Sequence, residues 1–273
     1  MLTRKEFLRW MTAEGIGAVG TFPSGEVVSR SFALSRDLFP ALHFTRIAKA
    51  ETLFPTETMK IRSNSTLLMI GDSITDCGRV RPVGEAVGGD LGDGYVALVH
   101  ALLRASCPEQ KIRIRNTGIS GNTVRDLAAR WQSDVLDLKP DWLSIMIGIN
   151  DVWRQFKAPL QSEWHVPLEE YSSTLEQLVR TTRPRLEGLV LMTPYFIEPN
   201  RADPMRATMD RYGEVVRQLA VRYQAILVDT QAAFDSVLTE IHPMALASDR
   251  VHPDLAGHMV LARAFLKALQ YNW

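Results

Sequence analysis

The sequence has only two cysteines, Cys77 and Cys107, among its 273 residues. So few thiols exclude a disulfide scaffold and argue against a metal site built on several thiolates. Cys77 follows a candidate serine nucleophile at position 73, but a free cysteine is more often a small buried residue than a nucleophile. The low count fits a reducing compartment, so a cytoplasmic location is expected.

The sequence also has no excess of either charge and no long apolar run. Lys+Arg and Asp+Glu each total 31, so the formal net charge is zero. A neutral chain lacks the basic surface that tracks phosphates, and nucleic acid is not expected as a partner. No apolar run approaches the ~20 residues of a membrane helix. The apolar stretch at residues 15–22 is too short for a secretory signal, so no membrane association is expected.

The chain changes character near residue 59. Residues 1–58 contain scattered prolines and charges without clear strand–helix alternation, although short helices are possible at Thr3–Met11 and Asp37–Ala50. These 58 residues could be an added arm, a partner-binding extension, or an upstream reading of the start codon, since Met59 would itself be a plausible start. We therefore divide the chain into an N-terminal extension of uncertain structure, 1–58, and a catalytic domain, 59–273.

From Thr66 onward, short apolar runs alternate with amphipathic segments. The predicted strands are Thr66–Gly71, Ile112–Thr117, Trp142–Gly148, Leu189–Thr193 and Ala225–Val228. The predicted helices are Tyr95–Ala105, Thr123–Leu138, Leu168–Thr182, Pro204–Tyr223 and Pro253–Leu269. Short, largely apolar strands separated by helices indicate a parallel sheet that is covered on both faces. The fold class is therefore α/β, with five parallel strands.

Residues that could carry chemistry follow three of these strands. Ser73 stands in Gly-Asp-Ser after the first strand, Gly121 in a glycine-containing loop after the second, and Asn150 after the third. In such sheets ligands bind beyond the carboxyl ends of the strands. Ser73 is a candidate nucleophile, while the Gly121 amide and the Asn150 side chain are candidate oxyanion donors. Taken singly, each residue could equally be a cap or a turn residue.

Asp249 and His252 stand just before the last predicted helix. An aspartate three residues before a histidine can fold back to hold the imidazole in one tautomer, which is the orienting role of a third triad member. A lone Asp–His pair is more often structural. Here, however, nucleophile, oxyanion donors and acid–base pair all fall on loops that one sheet edge brings together, and this conjunction favours a serine hydrolase.

The sequence resembles the GDSL, or SGNH, hydrolases, in which Ser, Gly, Asn and His name the conserved positions. The stretches IGDSITDCGR, GISGNTVRDL, KPDWLSIMIGINDVWRQ and DRVHP are similar to those of the bacterial intracellular acetylxylan esterases of this superfamily. The resemblance covers residues 59–273 and implies a three-layer α/β/α flavodoxin-like fold, removal of acetyl groups from xylo-oligosaccharides, no metal or other cofactor, and assembly into homo-oligomers.

The resemblance implies a Ser73–His252–Asp249 triad and an oxyanion hole formed by the Ser73 and Gly121 amides with Asn150. Possible substrate-binding residues are Asp72, Trp153, Tyr95 and Arg79, although turn formation for Asp72 and buried packing for the others remain open. Ser248 stands where a tryptophan is expected, which affects the acyl pocket or a subunit contact.

Two other functions remain open from the sequence. One is a short-chain carboxylesterase, lysophospholipase or thioesterase with the same triad. The other is a non-catalytic flavodoxin-like binding module, which would need a phosphate-cradling loop after the first strand. That loop is acidic here, with Asp72 and Asp76, and has no glycine cluster.

Overall fold

The computed structural model describes residues 59–85 and 90–271. The two helices predicted within residues 1–58 lie outside these ranges. The first described residues are fixed to the last helix of the chain, because the Lys60 amide donates to the Leu269 carbonyl at 3.0 Å.

The described residues form one sheet of six strands in the order β2-β3-β1-β4-β5-β6. The strands are β1 (Thr66–Gly71), β2 (Gly84–Glu85), β3 (Arg113–Asn116), β4 (Trp142–Met146), β5 (Gly188–Met192) and β6 (Ile226–Val228). All neighbours are parallel except β2, which pairs antiparallel with β3.

The predicted α/β class and the five parallel strands are confirmed. The prediction of a sheet with only five strands, all parallel, is wrong in one detail, because a sixth, antiparallel strand is present. The sixth strand, β2, is two residues long, so it leaves no periodic signal in the sequence. It is held at the sheet edge by its pairing with β3 and by an ion pair between Glu85 and Arg115 at 2.7 Å.

Strand β1 lies between β3 and β4, and this position determines where the candidate site lies. Its residues Leu67 to Ile70 are completely buried. In the register, Met69 stands beside Asn116 of β3, and Gly71 beside Met146 of β4. The three carboxyl ends therefore lie side by side, and the loops that follow them meet at one edge.

Eight α-helices lie in the described residues. They are α1 (Ser73–Asp76), α2 (Tyr95–Ser106), α3 (Val124–Trp131), α4 (Ile149–Lys157), α5 (Leu168–Thr182), α6 (Pro204–Arg222), α7 (Thr230–Val237) and α8 (Leu255–Ala268). Helix α3 continues into a π-helical turn at Gln132–Leu136, and 3₁₀ turns occur at Pro108–Gln110, Ser162–Trp164, Arg183–Arg185 and Pro243–Ala245.

The helices form two groups, one on each face of the sheet. Helices α2, α7 and α8 pack together, as do α3, α4, α5 and α6. The predicted helix Leu168–Thr182 agrees with α5 at both ends, whereas α4 and α7 were missed. Helix α4 begins immediately after Gly148, whose φ of 132° breaks the extended run that the sequence suggested. Among the described helices, none is long and apolar enough to cross a bilayer.

Candidate active site

A sharp turn after β1 presents Ser73 at the sheet edge. The Asp72 carboxylate accepts from the Ile74 amide at 3.0 Å and so caps the four-residue helix α1. A Cβ atom on Gly71 would lie 2.4 Å from the Met146 carbonyl oxygen, so a larger residue would push β1 and β4 apart. The preference for Gly-Asp-Ser therefore follows from close packing at the glycine and helix capping at the aspartate.

The Ser73, His252 and Asp249 side chains form a continuous hydrogen-bonded chain. Ser73 Oγ lies 2.9 Å from His252 Nε2, and His252 Nδ1 lies 2.6 Å from Asp249 Oδ2. Both distances are within the range that proton transfer and imidazole orientation require. The side chains of His252 and Asp249 are about 40% exposed (43% and 38%), so the chain of bonds opens to solvent and a substrate can reach it.

Asp249 also shapes the turn that carries the histidine. Its Oδ1 accepts from the amides of Val251 and His252 at 2.9 and 2.8 Å. Burial raises the pKa of Asp249, but the hydrogen bonds from the His252 ring and the two amides outweigh burial and lower the pKa below its ordinary value. The carboxylate thus stays ionised, as it must in order to stabilise a charged imidazole.

The segment after β5 anchors this turn from below. The Tyr195 hydroxyl donates to the Val251 carbonyl at 3.2 Å, and the Ile197 amide donates to the Arg250 carbonyl at 2.9 Å. Arg250 has a φ of 61°, and its guanidinium lies 4.8 Å from the centroid of the Phe196 ring. These contacts hold a left-handed residue between Asp249 and His252, so the imidazole is aimed by tertiary structure as well as by its neighbour.

The two candidate oxyanion loops are joined to the same edge. The Ile119 amide donates to the Gly71 carbonyl at 3.1 Å, which fixes the loop after β3 beside the end of β1. In that loop Gly121 has a φ of 80°, a conformation that glycine adopts without strain. Asn150 Nδ2 donates to the Asn122 carbonyl at 3.0 Å. Because an amide nitrogen has two N–H groups, the second stays available for an oxyanion.

Helix α4 is hydrogen-bonded to the loop after β3 and to the start of α3 at two further points. Arg154 Nη2 donates to the Gly121 carbonyl at 2.5 Å, and the Val124 amide donates to Asp151 Oδ1 at 3.0 Å. These contacts join residues that are 33 and 27 positions apart in the chain, so the sequence holds no local signal for them.

Replacing Asn150 with alanine removes one candidate oxyanion donor and its bond to the loop after β3. Losing one such donor typically lowers kcat by about 10² to 10³. We expect a decrease of this size with KM nearly unchanged, measured by steady-state kinetics on a soluble acetate ester. A decrease below about threefold would exclude Asn150 from the oxyanion hole, provided that the thermal unfolding midpoint shows a folded variant.

Two carboxyl groups are buried beneath the site. Asp72 is only 1% exposed and Asp151 is completely buried. Burial raises the pKa of each to about 7, and the hydrogen bonds from the Ile74 and Val124 amides oppose this only in part. The Asp151 charge raises the pKa of Asp72 further. Asp151 Oδ2 finds no hydrogen-bond partner among the described residues.

Stability should therefore fall as pH rises through the range in which these groups ionise. The folded-state pKa of Asp151, about 7, lies above its ordinary value of 3.8, so between these values the folded state binds more protons than the unfolded state. Folding free energy is then lost with rising pH. Asn at 151 keeps the acceptor for the Val124 amide and cannot ionise.

Asp151→Asn should thus gain stability relative to the parent chain by at least about 1 kcal/mol between pH 5 and pH 8, or about 2–4 °C in midpoint. Thermal unfolding of both proteins at the two pH values measures this difference. A difference that does not change with pH would show that Asp151 is ionised throughout.

The possible substrate-binding residues separate into one half-buried residue, Trp153, and three buried ones. Trp153 packs edge-on against His252, with ring centroids 5.7 Å apart, and Lys157 Nζ lies 4.4 Å from its ring centroid. Asp72, Tyr95 and Arg79 are buried, which favours the turn-forming and packing roles over contact with substrate. Tyr95 shares a hydrogen bond with the Thr75 hydroxyl at 3.1 Å, and Arg79 Nε donates to the Gly118 carbonyl at 2.7 Å. These buried residues support the turn after β1 and the loop after β3 from the interior of the protein.

Asp76 is a supporting residue that the sequence did not single out. Its Oδ2 accepts from the amide and the hydroxyl of Ser120 at 2.9 and 2.8 Å, and from Arg81 Nη2 at 2.7 Å. Burial raises its pKa, but the bonds from Arg81 and Ser120 outweigh burial and lower it. This carboxylate fixes the residue directly before Gly121.

The remaining chemically active side chains near the site have structural partners. His258 Nδ1 accepts from the Tyr95 amide at 3.2 Å, and its Nε2 lies 3.5 Å from Cys77 Sγ. Burial lowers the pKa of His258 to about 4 and raises that of the Cys77 thiol, so neither is charged at neutral pH. Within the described residues, no three His, Cys, Asp or Glu side chains are grouped so as to hold a metal ion.

Comparison with known proteins identifies a family and close relatives. Residues 69–260 match the family model described as GDSL-like Lipase/Acylhydrolase family. The chain is similar to an acetylxylan esterase of Geobacillus stearothermophilus, with 60% identity over 215 residues that cover 79% of this chain and 98% of the relative.

The solved structures include that esterase, Axe2, with a TM-score of 0.78, 60% identity, and coverage of 79% of this chain and 98% of the relative. An α/β hydrolase, LAE5, from the metagenome of Lake Arreo, Spain, has a TM-score of 0.78 and 55% identity, and covers 79% and 100% of the two chains. Catalytic mutants of Axe2 replace a serine, an aspartate and a histidine with alanine. A further variant replaces the tryptophan directly before that aspartate with isoleucine.

Proposed function

The chain belongs to the GDSL-like lipase/acylhydrolase family, and from this premise we propose that it is a serine esterase that removes acetyl groups from acetylated xylo-oligosaccharides. The observation that carries the proposal is the hydrogen-bonded chain from Ser73 through His252 to Asp249 in a domain that is 60% identical to an acetylxylan esterase. The catalytic domain we propose is 59–273, and the relative aligns over almost its full length with 79% of the chain.

The positions of the relative's mutated residues support the proposed triad. In Axe2 the mutated serine and histidine are 179 residues apart, and the mutated aspartate precedes the histidine by three. Ser73, Asp249 and His252 have the same separations, 179 and 3. The spacing and the hydrogen-bond geometry are independent observations, and both favour the same three residues.

In the proposed reaction, His252 Nε2 takes the Ser73 proton as Ser73 Oγ attacks the acetyl carbonyl. The Ser73 and Gly121 amides, with the Asn150 side chain, hold the oxyanion of the tetrahedral intermediate. The C–O bond to the sugar then breaks, and His252 returns the proton to the sugar oxygen. Water attacks the acetyl-enzyme with His252 again as base, and acetate leaves. Asp249 stabilises the charged imidazole in both halves of the reaction.

Mass spectrometry of acetylated xylo-oligosaccharides tests the proposal directly. Each turnover should lower the mass of the sugar by one acetyl group and release one acetate. A chain that hydrolyses simple acetate esters but leaves these sugars unchanged would be an esterase with another substrate. The lysophospholipase and thioesterase alternatives predict faster cleavage of long-chain acyl esters or acyl thioesters than of acetyl esters, so the same assay with those substrates separates them.

A non-catalytic flavin-binding module is not supported. The turn after β1 is occupied by a four-residue helix whose N-terminus is capped by the buried Asp72. The Ile74 amide, a donor that a phosphate-binding loop would turn to its ligand, already donates to this carboxyl group.

We further propose that the enzyme acts in the cytoplasm as a homo-oligomer. The resemblance to intracellular esterases supports both parts of this proposal. The two free cysteines, Cys77 and Cys107, support the cytoplasmic location. Light scattering coupled to size exclusion gives the mass in solution directly, and a monomer at micromolar concentration would contradict the oligomer.

A further inference from the structure

A pocket adjoins Asp249, the proposed orienting residue of the triad. It has a volume of about 470 Å³, and its wall includes Asp249 but neither Ser73 nor His252. Beyond Asp249, the lining residues that matter here are Glu198, Pro199, His242, Met244, Ser248 and Arg250. Asp249 therefore belongs both to the proposed triad and to the wall of this pocket.

The wall of this pocket is polar, and apart from Asp249 its charged side chains balance each other. The Glu198 carboxylate and the Arg250 guanidinium pair with each other. The Arg250 guanidinium also lies over the Phe196 ring, which fixes its plane. A paired acid and base attract neither an anion nor a cation strongly, so the wall favours an uncharged ligand with many hydroxyl groups.

The remaining lining residues suit one face of a sugar ring. Met244 is 61% exposed and, with Pro199 and Pro243, gives an apolar surface. His242 Nδ1 accepts from the Met244 amide at 3.3 Å, so the ring proton lies on Nε2, which is left as a donor. Small-molecule sites typically combine such an apolar surface with a few fixed polar groups.

Ser248 is a small residue on the wall of this pocket. In the Geobacillus esterase a tryptophan stands directly before the mutated aspartate, in the position of Ser248 in this chain. Ser248 is exposed and lines the pocket. A tryptophan in place of Ser248 would add an indole ring to the pocket wall, next to Asp249, whose position is fixed by its bonds to the amides of Val251 and His252.

We propose that this pocket is a subsite for an additional xylosyl residue of the substrate, and that Ser248 makes the enzyme prefer longer acetylated xylo-oligosaccharides. The inference rests on the proposed function. When the acetyl carbonyl lies at Ser73, one side chain, His252, stands between the reacting group and the pocket wall at Asp249, because His252 is hydrogen-bonded to both Ser73 and Asp249.

The test compares kcat/KM on acetylated xylobiose, xylotriose and xylotetraose with kcat/KM on 4-nitrophenyl acetate, which is too small to reach the pocket. We expect kcat/KM to rise with sugar length in the parent chain. Ser248→Trp should abolish this rise, so that kcat/KM on the longest sugar, divided by kcat/KM on 4-nitrophenyl acetate, decreases by about tenfold. Ser248→Ala is the matched control and should keep the length dependence.

A second variant, at another lining residue, separates loss of the subsite from an indirect effect on Asp249. His242→Ala removes the proposed donor without touching the triad, and it too should weaken the length dependence. The subsite is excluded if the parent chain shows no length dependence, or if both Ser248→Trp and His242→Ala retain it. If the parent chain releases no acetate from any of the sugars yet hydrolyses 4-nitrophenyl acetate, the substrate assignment itself has failed.

Discussion

Ser73→Ala is expected to lower kcat by at least about 10⁴-fold, because the other parts of the site cannot form an acyl-enzyme without the serine oxygen. Binding and oxyanion stabilisation remain in such a variant, so KM should change little. Mass spectrometry of the intact protein during turnover should show an added acetyl group in the parent chain and none in the variant.

Cys77 provides the matched control for this experiment. It lies one helical turn after Ser73 and is the neighbouring side chain that could act as a nucleophile. Burial raises the pKa of its thiol, and its contact is with His258 and not with His252. Cys77→Ala should therefore keep activity within about twofold, since only a thiolate is an effective nucleophile. If the Ser73→Ala variant remained active, another residue would have to be the nucleophile.

Most of the parallel sheet could be predicted because each strand carries its own signal. The segment from Thr66 to Gly71 is apolar and bounded by polar residues, and the observed β1 has these limits. Helix α5 was equally clear, since its buried residues recur at helical spacing. By contrast, β2 depends on pairing with a strand about 30 residues away, and α4 begins at a glycine whose φ of 132° only the structure reveals.

The site divides in the same way between local and long-range information. Ser73, Gly121, Asn150, Asp249 and His252 could be proposed because each follows a recognisable element and the parallel order brings their loops together. The supporting contacts could not be proposed from the sequence. Arg154 reaches the Gly121 carbonyl, and Asp76 holds Ser120, across separations of 33 and 44 residues. Nothing in either residue's neighbourhood distinguishes it from an ordinary exposed charge.

The burial of Asp72 and Asp151 shows how such contacts change chemistry. Both aspartates are next to a proposed catalytic residue in the chain, and turn formation was one of the roles expected for Asp72. Each does cap a backbone amide, at Ile74 and at Val124. Their burial adds a consequence that capping alone does not have, because it raises both pKa values to about 7. The ionisation of these two supporting carboxyl groups therefore changes with pH around neutrality.

Asp249→Asn is expected to lower kcat by about 10⁴-fold while leaving the local backbone in place, as the same change does in another serine hydrolase. The amide oxygen of Asn can still accept from the amides of Val251 and His252, so the turn is kept. Its amide nitrogen, however, would face His252 Nδ1, where the carboxylate Oδ2 now accepts at 2.6 Å. A donor at that position forces the ring proton onto Nε2, and Nε2 can then no longer take the proton of Ser73.

Two further variants separate this tautomer effect from loss of the turn. Asp254→Asn changes an aspartate that caps α8 through the Gly257 amide at 2.9 Å and has no bond to His252, so its activity should equal that of the parent chain. Asp249→Ala removes the two amide bonds as well as the imidazole bond, and should lower both kcat and the unfolding midpoint. If Asp249→Asn kept more than about a tenth of the parent kcat, the imidazole would have to be oriented by the contacts of Tyr195 and Ile197 with the same turn, and Asp249 would only cap it.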